Sequence, residues 1–476
     1  MVEAMANGIE DKLIDGLSFK LNPGASYVTD RRSVTYHPQG SNIYKPVAGT
    51  KLIRILLTGD NWLDPSTLRI MFTLNNDETD TAKKLRPLSG PWCFFRRMRI
   101  LAAGQLVEDI DSYNRIHEMM SLVVAKDSRQ NDAAEAFGQT WDAQGWRNSL
   151  LTADNFSGIP ANSSLQVLFT PLSGLLNQNK MLPIRYAPIT IELELVDTFE
   201  DPVLTVPVFT TGTDVALTLS ATGTALFTPA NCATNWSINN VQVKVDVCTL
   251  DNALDNSYAQ HLLSGKSFPI SYNTFVSQMQ TIAGQEAPLI NVSRALTRLK
   301  SVFVTLVKDT SSTTLSNDRY KYYGRKQWND FFSPMSSDNR DKLTVNHIAN
   351  GEFEFQLQIG SKLFPEYPVR SHNEAYYQLK KSLGVQASAL HNFDISALEF
   401  RDNNLIFATD TEKVLDAGFT GINTRAGDLM SVSLKFKDKG TVSAGGTYPR
   451  LADRIHIVLH SDQILEIRDS GCQVFD

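Results

Sequence analysis

One pattern occurs twice in this chain, about 260 residues apart, and it limits the fold more than any other feature. The first copy, FFRRMRILAAGQLVEDIDSYNRIHEMM, runs from Phe94 to Met120; the second, FEFQLQIGSKLFPEYPVRSHNEAYYQL, runs from Phe353 to Leu379. In each, an alternating strand reaches an Ile (Ile100, Ile359) and a polar turn follows (Gly104-Gln105, Ser361-Lys362). A Leu comes next (Leu106, Leu363), then an acid two or three positions on (Glu108, Glu366), and an Asn (Asn114, Asn373) opens a helix. Solenoid units are far shorter than this spacing, so the pattern marks a duplicated domain. The chain is expected to hold two copies of one β-unit.

Length agrees with that division. The 476 residues suit two domains of roughly 200 to 250 residues each, a size common among all-β units, and the split is placed at 1–250 and 251–476. Domains of this kind bury roughly 70 to 75% of their unfolded surface and need no covalent staples. The four cysteines, Cys93, Cys232, Cys248 and Cys472, show no CxxC spacing, which argues against a zinc site or a disulfide framework and points to a reducing assembly compartment. With 45 basic against 51 acidic residues the formal charge is -6, the wrong sign for a surface that neutralises phosphates. Direct sequence-specific nucleic-acid binding is not expected. The N-terminus carries acids where a secretory signal has a basic region and an apolar run, so a soluble, unprocessed chain is expected.

Strand signals dominate. Ile189, Ile191, Leu193 and Leu195 alternate with Thr190, Glu192 and Glu194, a period of 2. The same alternation runs through Leu68 to Leu74, Val241 to Val247, Phe353 to Ile359, Val432 to Phe436 and Ile455 to Leu459. One face buried and one wet is the pattern of antiparallel sheets packed face to face. Three short helices are expected. One carries the stripe Ile116, Met119, Met120 and Val123; another, from Asp251 to Gly265, groups Leu254, Tyr258 and Leu262. The third opens with a capping box, Ser371 with Glu374, and ends at Gly384. Long polar segments lie between strands, at 75–89, 126–164, 201–235 and 308–350, and loops of that length usually carry function or disorder. The Thr-rich 201–235 segment reads as a surface excursion.

Catalytic and ligand-binding patterns fail on inspection. Ser264-Gly265-Lys266-Ser267 resembles the tail of a phosphate-binding loop, but Gln260 stands where that loop needs its first Gly, and a helix precedes it where a strand should. His456 and His460 lie four residues apart in a strand, roughly 13 Å and too far to share one ion, so they read as polar-face residues. Asp109 with Asp111, and Glu352 with Glu354, read as solvated acids on strand or turn faces. Arg96, Arg97 and Arg99 form the one compact basic cluster and read as salt-bridge or intersubunit residues. Asn155, Asn162, Asn235 and Asn291 lie in N-x-Ser sequons, which carry no consequence without a signal peptide. No catalytic, cofactor-binding or metal-ligating residue is assigned, and an enzyme is not expected.

With the duplication and strand pattern in view, the chain resembles the double jelly-roll major capsid proteins of eukaryotic DNA viruses. Two further stretches carry the resemblance. KMLPIRYAPITIELELVD, Lys180 to Asp197, is similar to the family's Leu-Pro lead-in to a late strand of the first barrel. WSINNVQVKVDVCTLDNALDNSYAQHLL, Trp236 to Leu263, is similar to the crossover between barrels. Asn252-Ala253-Leu254-Asp255 replaces the acidic-arginine pair and aromatic common in large-virus relatives, which tilts the resemblance toward polinton-like viruses and virophages.

The resemblance implies an all-β fold of two tandem eight-stranded jelly-roll sandwiches with long inserted loops and a few short helices. The first covers 1–250, including an N-terminal segment at 1–21 and the surface loop at 201–235, and the second covers 251–476. It also implies a structural protein that self-assembles as a homotrimeric, pseudo-hexameric capsomer tiling an icosahedral shell. The protein would reside in the virion after assembly inside the host cell. Implied partners are neighbouring capsomers, minor capsid and penton proteins, and an internal membrane that 1–21 would touch, if it does not simply order against its own barrel. Two other readings compete. A carbohydrate-binding or glycan-processing tandem β-sandwich would normally show a secretory signal and an aromatic platform, whereas Trp62, Trp92, Trp141, Trp146, Trp236 and Trp328 are scattered. A spike or vertex protein usually has one jelly roll.

Overall fold

The computed structural model describes residues 28–47, 49–124, 126–137, 158–203, 232–282, 285–307, 331–333, 353–383, 395, 400, 404–414, 420–425, 429–436 and 452–476. Among the described residues the first half forms ten strands: β1 (Val28–Tyr36), β2 (Ile43–Tyr44), β3 (Leu52–Leu57), β4 (Trp62–Asn76), β5 (Phe95–Ala102), β6 (Gln105–Asp111), β7 (Ser164–Phe169), β8 (Leu182–Pro183), β9 (Ile189–Leu195) and β10 (Trp236–Leu250). They make two antiparallel sheets, ordered β1-β10-β4-β7 and β3-β9-β5-β6, with β2 and β8 as short additions to the first. Strands distant in sequence are neighbours in space, which is the jelly-roll arrangement of two packed Greek keys.

The second half repeats that order. Strands β11 (Phe268–Thr281), β12 (Leu289–Val292), β13 (Leu299–Val307), β14 (Phe353–Ile359), β15 (Lys362–Val369), β16 (Ile406–Asp410), β17 (Met430–Phe436) and β18 (Arg454–Arg468) form sheets β11-β18-β13-β16 and β12-β17-β14-β15. A last strand, β19 (Gly471–Phe475), pairs with the far end of β18. Substituting β11 for β1, β12 for β3, β13 for β4, and so on through β18 for β10, converts one sandwich's strand order into the other's. The duplicated pattern occupies β5-β6 and β14-β15, with a helix after each.

The alternation sets which faces are buried. In β10, Val241, Val243, Val245 and Val247 are all buried, and in β14 so are Phe353, Phe355, Leu357 and Ile359. At about 25 cal/mol per Å² such side chains each stabilise the sandwich by roughly 1.5 to 3 kcal/mol. Trp236 closes one end of the first core, fully buried, with its ring edge-on to Phe94 at 4.8 Å and Nε1 donating to the Phe199 carbonyl at 2.8 Å. The expected wet face of β9 is only partly wet. Glu192 is buried, because Arg99 from β5 (2.9 Å) and Arg54 from β3 close over its carboxylate.

The two β-hairpins of the repeat turn on two residues each, with Ala102 opposite Gln105 and Ile359 opposite Lys362. β5 therefore continues two residues beyond Ile100. Both turn residues of the first hairpin, Ala103 (φ 49°) and Gly104 (φ 84°), take positive φ, the geometry whose twist suits a tight hairpin.

The helices among the described residues are short: α1 (Tyr113–Leu122), α2 (Lys126–Ala133), α3 (Asn252–Leu263) and α4 (His372–Ser382). Asp251 caps α3, and Ser371 caps α4 by accepting from the Glu374 N–H at 3.1 Å. Glu374 returns a bond to the Arg370 N–H, so the expected capping pair forms one residue earlier than the usual motif. α2 differs from expectation, lying in a stretch read as loop; KDSRQNDA has no apolar stripe to announce a helix. Of the sequence readings, the segment 1–21, Gly384, Glu352, Asn155, Trp141, Trp146, Trp328 and most of 201–235 and 308–350 lie outside the described residues. No helix among the described residues is long and apolar enough to cross a membrane.

Candidate functional site

The two sandwiches meet along a seam built mainly from β6 and α1 on one side and the sheet β11-β18-β13-β16 on the other. In β18, Ile455, Ile457 and Leu459 point into the second sandwich beside Val302, Val304 and Leu306 of β13. There Phe407 of β16 stacks on Phe355 of β14 at 4.9 Å. The alternate residues His456, Val458 and His460, opposite Thr305, Phe303 and Ser301, point the other way, toward the first sandwich. Arg115 of α1 crosses to that face. Its Nη2 donates to Thr305 Oγ1 at 3.1 Å and to the Leu306 carbonyl at 3.0 Å, and its guanidinium lies 4.7 Å from the Phe331 ring centre.

Backbone and loop contacts continue the seam. The Tyr272 hydroxyl of β11 lies 3.1 Å from the Val107 carbonyl and 2.8 Å from Gln463 Oε1, two acceptors for its one proton. Ser277 Oγ donates to the Asp111 carbonyl at 3.0 Å, and Lys180 Nζ to the Pro269 carbonyl at 2.8 Å. At the other end Trp62 of β4 packs on Tyr258 of α3 (4.9 Å) and Phe268 of β11 (6.1 Å). Through these contacts the apolar residues of both sandwiches join into one cluster, although no described sheet mixes strands from the two halves.

Glu108, the acid of the first repeat copy, anchors this seam. Its buried carboxylate accepts from Ser173 Oγ, from the Gly174 N–H at 3.0 Å and from the Leu175 N–H at 3.3 Å. Burial raises its pKa, and those hydrogen bonds oppose the rise. They hold the 173–175 turn against β11 so closely that a Cβ on Gly174 would stand 1.6 Å from the Asn273 carbonyl oxygen. Glu366, the acid of the second copy, is exposed. Beside Gly174 a cavity of about 430 Å³ opens between the sandwiches, lined by Tyr272, Asn273, Lys300, His460 and Asp462 among others. Lys300 is already paired with Glu412 (3.1 Å) and Asp462 (3.7 Å).

The histidine pair corrects the sequence reading. His456 and His460 do share one side of β18, but it is covered. His456 is fully buried and neither ring nitrogen has a hydrogen-bond partner; burial, then the charges of Arg115 and Arg454, hold its pKa well below the usual value. His460 stacks on Phe275 at 5.0 Å with Nδ1 3.2 Å from Ser301 Oγ, and burial, then Lys300, lowers its pKa to about 3. Alternation places a residue on a face; only the neighbouring sandwich decides that this face is dry.

Other candidates fall where solvated or structural groups belong. Arg97 binds Asp109 through two bonds (2.7 and 2.6 Å), Arg99 binds Glu192 at 2.9 Å, and Arg96 binds Asp197 at 2.8 Å and Asp111 at 3.9 Å. The cluster is a set of intramolecular ion pairs. Glu354 pairs with Arg370 at 3.3 Å. Ser264 to Ser267 connects α3 to β11, helix before strand, the reverse of a phosphate cradle. The described tryptophans do not gather: Trp62 is in the seam, Trp92 stacks on His117 at 4.1 Å, and Trp236 is in the core. Among the described residues no group of three His, Cys, Asp or Glu side chains is placed to hold a metal ion.

This pair of equivalent sandwiches joined by a covered seam is the double jelly-roll fold, and solved structures share it. VP54 of PBCV-1, fitted into a reconstruction of the virophage Sputnik, matches with a TM-score of 0.58 at 10% identity, over 96% of this chain and 100% of that one. A chain of the Sputnik virophage matches at 0.57 and 9% identity, covering 98% of this chain and 92% of its own. The Faustovirus major capsid protein matches at 0.53 and 10% identity, over 98% and 96%. No protein-family model and no curated protein matches the sequence.

Proposed function

We propose that the chain is a major capsid protein that self-assembles into homotrimeric, pseudo-hexameric capsomers tiling an icosahedral virus shell. One observation carries the reading: a single chain presents two sandwiches of identical strand order, matched over nearly its whole length by a major capsid protein. Three such chains about an axis place six similar sandwiches in a ring, an outline close to a hexagon. Cyclic contacts of this kind are heterologous and self-closing, and permanent ones commonly bury roughly 2,000 to 5,000 Å².

The role is structural rather than catalytic. Its place is the virion capsid, with neighbouring capsomers, minor capsid proteins and penton proteins as partners, and the division between units is put at 1–250 and 251–476. The 1–21 segment would reach a minor capsid protein or an internal membrane. The carbohydrate-binding alternative finds no support among the structures matched. Electron microscopy of the purified full chain tests the proposal: particles with a hexagonal outline support it, and separate two-lobed particles that never associate at high protein concentration overturn it.

A further inference from the structure

The two copies of the repeat pack their helices differently, and the difference leaves a cavity in the first. In the second sandwich α4 lies directly on β16, the counterpart of β7, with Ala375 and Leu379 buried. In the first, α1 rests instead on β5 and on the short turn Pro91–Phe94. Between α1, α2 and the end of β7 a cavity of about 250 Å³ remains. Met120, Val124, Phe169 and Leu172 give it apolar walls, and Trp92 forms one side. The indole is fixed in place. It stacks on His117 at 4.1 Å, its Nε1 donates to Glu118 at 3.1 Å, and Gly90 passes so close that a Cβ there would stand 2.3 Å from the ring. The Leu168 N–H donates to the Glu135 carbonyl at 2.8 Å, which ties the segment after α2 to β7 and closes another side.

We infer that this cavity binds a small amphipathic cation, a protonated amine on a short aromatic or apolar body, with the body against Trp92 and the ammonium at Asp132. Charge selects the occupant. Glu118, Asp132 and Glu135 line the cavity against one cation, Arg129. Glu118 is engaged by Ser89 and Trp92, and Glu135 by Arg69 at 3.3 Å. Asp132, exposed at the mouth, makes no ion pair among the described residues; burial and then Glu135 raise its pKa, and Arg69 opposes the rise. His117 adds no charge at neutral pH, because burial lowers its pKa to about 4. An anionic ligand would meet these carboxylates, and a neutral one would leave Asp132 unmatched, whereas an ammonium gains both Asp132 and the face of an aromatic ring. The volume lies below the roughly 300 to 1,000 Å³ of drug-sized sites, so a single ring with a short chain fits. The fold does not require the gap, since α4 closes on its own strand. The site lies within one chain, so the inference is independent of the proposed assembly.

Titration of the full chain with phenylpropylamine, phenylpropanol and phenylpropionate tests the inference, because the three probes differ mainly in charge. Fluorine NMR of protein labelled with fluorotryptophan reads the site, the Trp92 signal being identified by its loss in Trp92→Phe. The amine should shift that signal with a millimolar or tighter dissociation constant and bind at least about threefold more tightly than the alcohol, with the carboxylate weakest. Asp132→Asn, a change at an exposed position, should erase the amine's advantage and leave the alcohol's affinity as it was, a pattern that a loss of fold does not mimic. Ala136→Phe, which fills the mouth, should abolish the shift. An alcohol that binds as tightly as the amine, a carboxylate that binds more tightly, or an amine advantage that survives Asp132→Asn overturns the cation assignment. A Trp92 signal that none of the probes moves, or one that still moves in folded Ala136→Phe, overturns the site.

Discussion

At His456 the seam holds an imidazole with no partner for either nitrogen, facing Arg115 from α1, Met279 from β11 and Thr305 from β13, with Arg454 on its own strand. Its folded pKa lies below the unfolded value near 6.5, as do those of His460 (about 3) and His117 (about 4), chiefly through burial. The unfolded chain therefore binds more protons between those values. The stability these groups contribute is complete above about pH 6.5 and is lost as pH falls toward 4. Glu108, with a raised pKa, works in the opposite sense. Thermal unfolding should show a midpoint that drops over this window, and His456→Met should flatten the drop while raising stability at neutral pH by about 1 kcal/mol, since it removes an unsatisfied buried polar group. An unchanged pH profile in that variant would count against the assignment. Gly174→Ala should cost more than about 3 kcal/mol by chemical denaturation, above the usual overpacking range, because the new methyl would overlap backbone atoms of Asn273 that β11 holds in its pairing with β18. None of this was legible from the residues alone: IHIVLH reads as a strand, but what covers its second face lies some 340 residues away at Arg115.

Helices α1 and α4 show how one local pattern serves two settings. Each follows the last strand of a hairpin, and each opens at a Ser cap, yet Ser112 takes a left-handed conformation without a side-chain cap bond while Ser371 caps fully. Ser371→Ala should therefore lower stability by about 1 kcal/mol, whereas Ser112→Ala should not carry that capping loss; comparing the two urea midpoints checks this. The capping box, the hairpins and the β-alternation were all readable because each is fixed by residues close in sequence. The acids of the repeat were read as equivalents and are not: Glu108 is sealed under the 173–175 turn, and Glu366 is in solvent. α2 stayed invisible because a polar helix at a sandwich edge, where Glu135 just beyond it reaches Arg69 at 3.3 Å, needs no apolar stripe.

For the whole molecule, duplication is the property from which the rest follows. Two sandwiches of one strand order meet along one covered seam, and the same order in both makes them near-equivalent building units. The proposed ring of three chains rests on that equivalence, and the repeat behind it was visible in the sequence as Phe94 to Met120 and Phe353 to Leu379. Size-exclusion chromatography with light scattering on the full chain at neutral pH tests this most directly. The account predicts a single species of three times 53.0 kDa that survives dilution to the nanomolar range. A stable 53.0 kDa monomer at every concentration would contradict it.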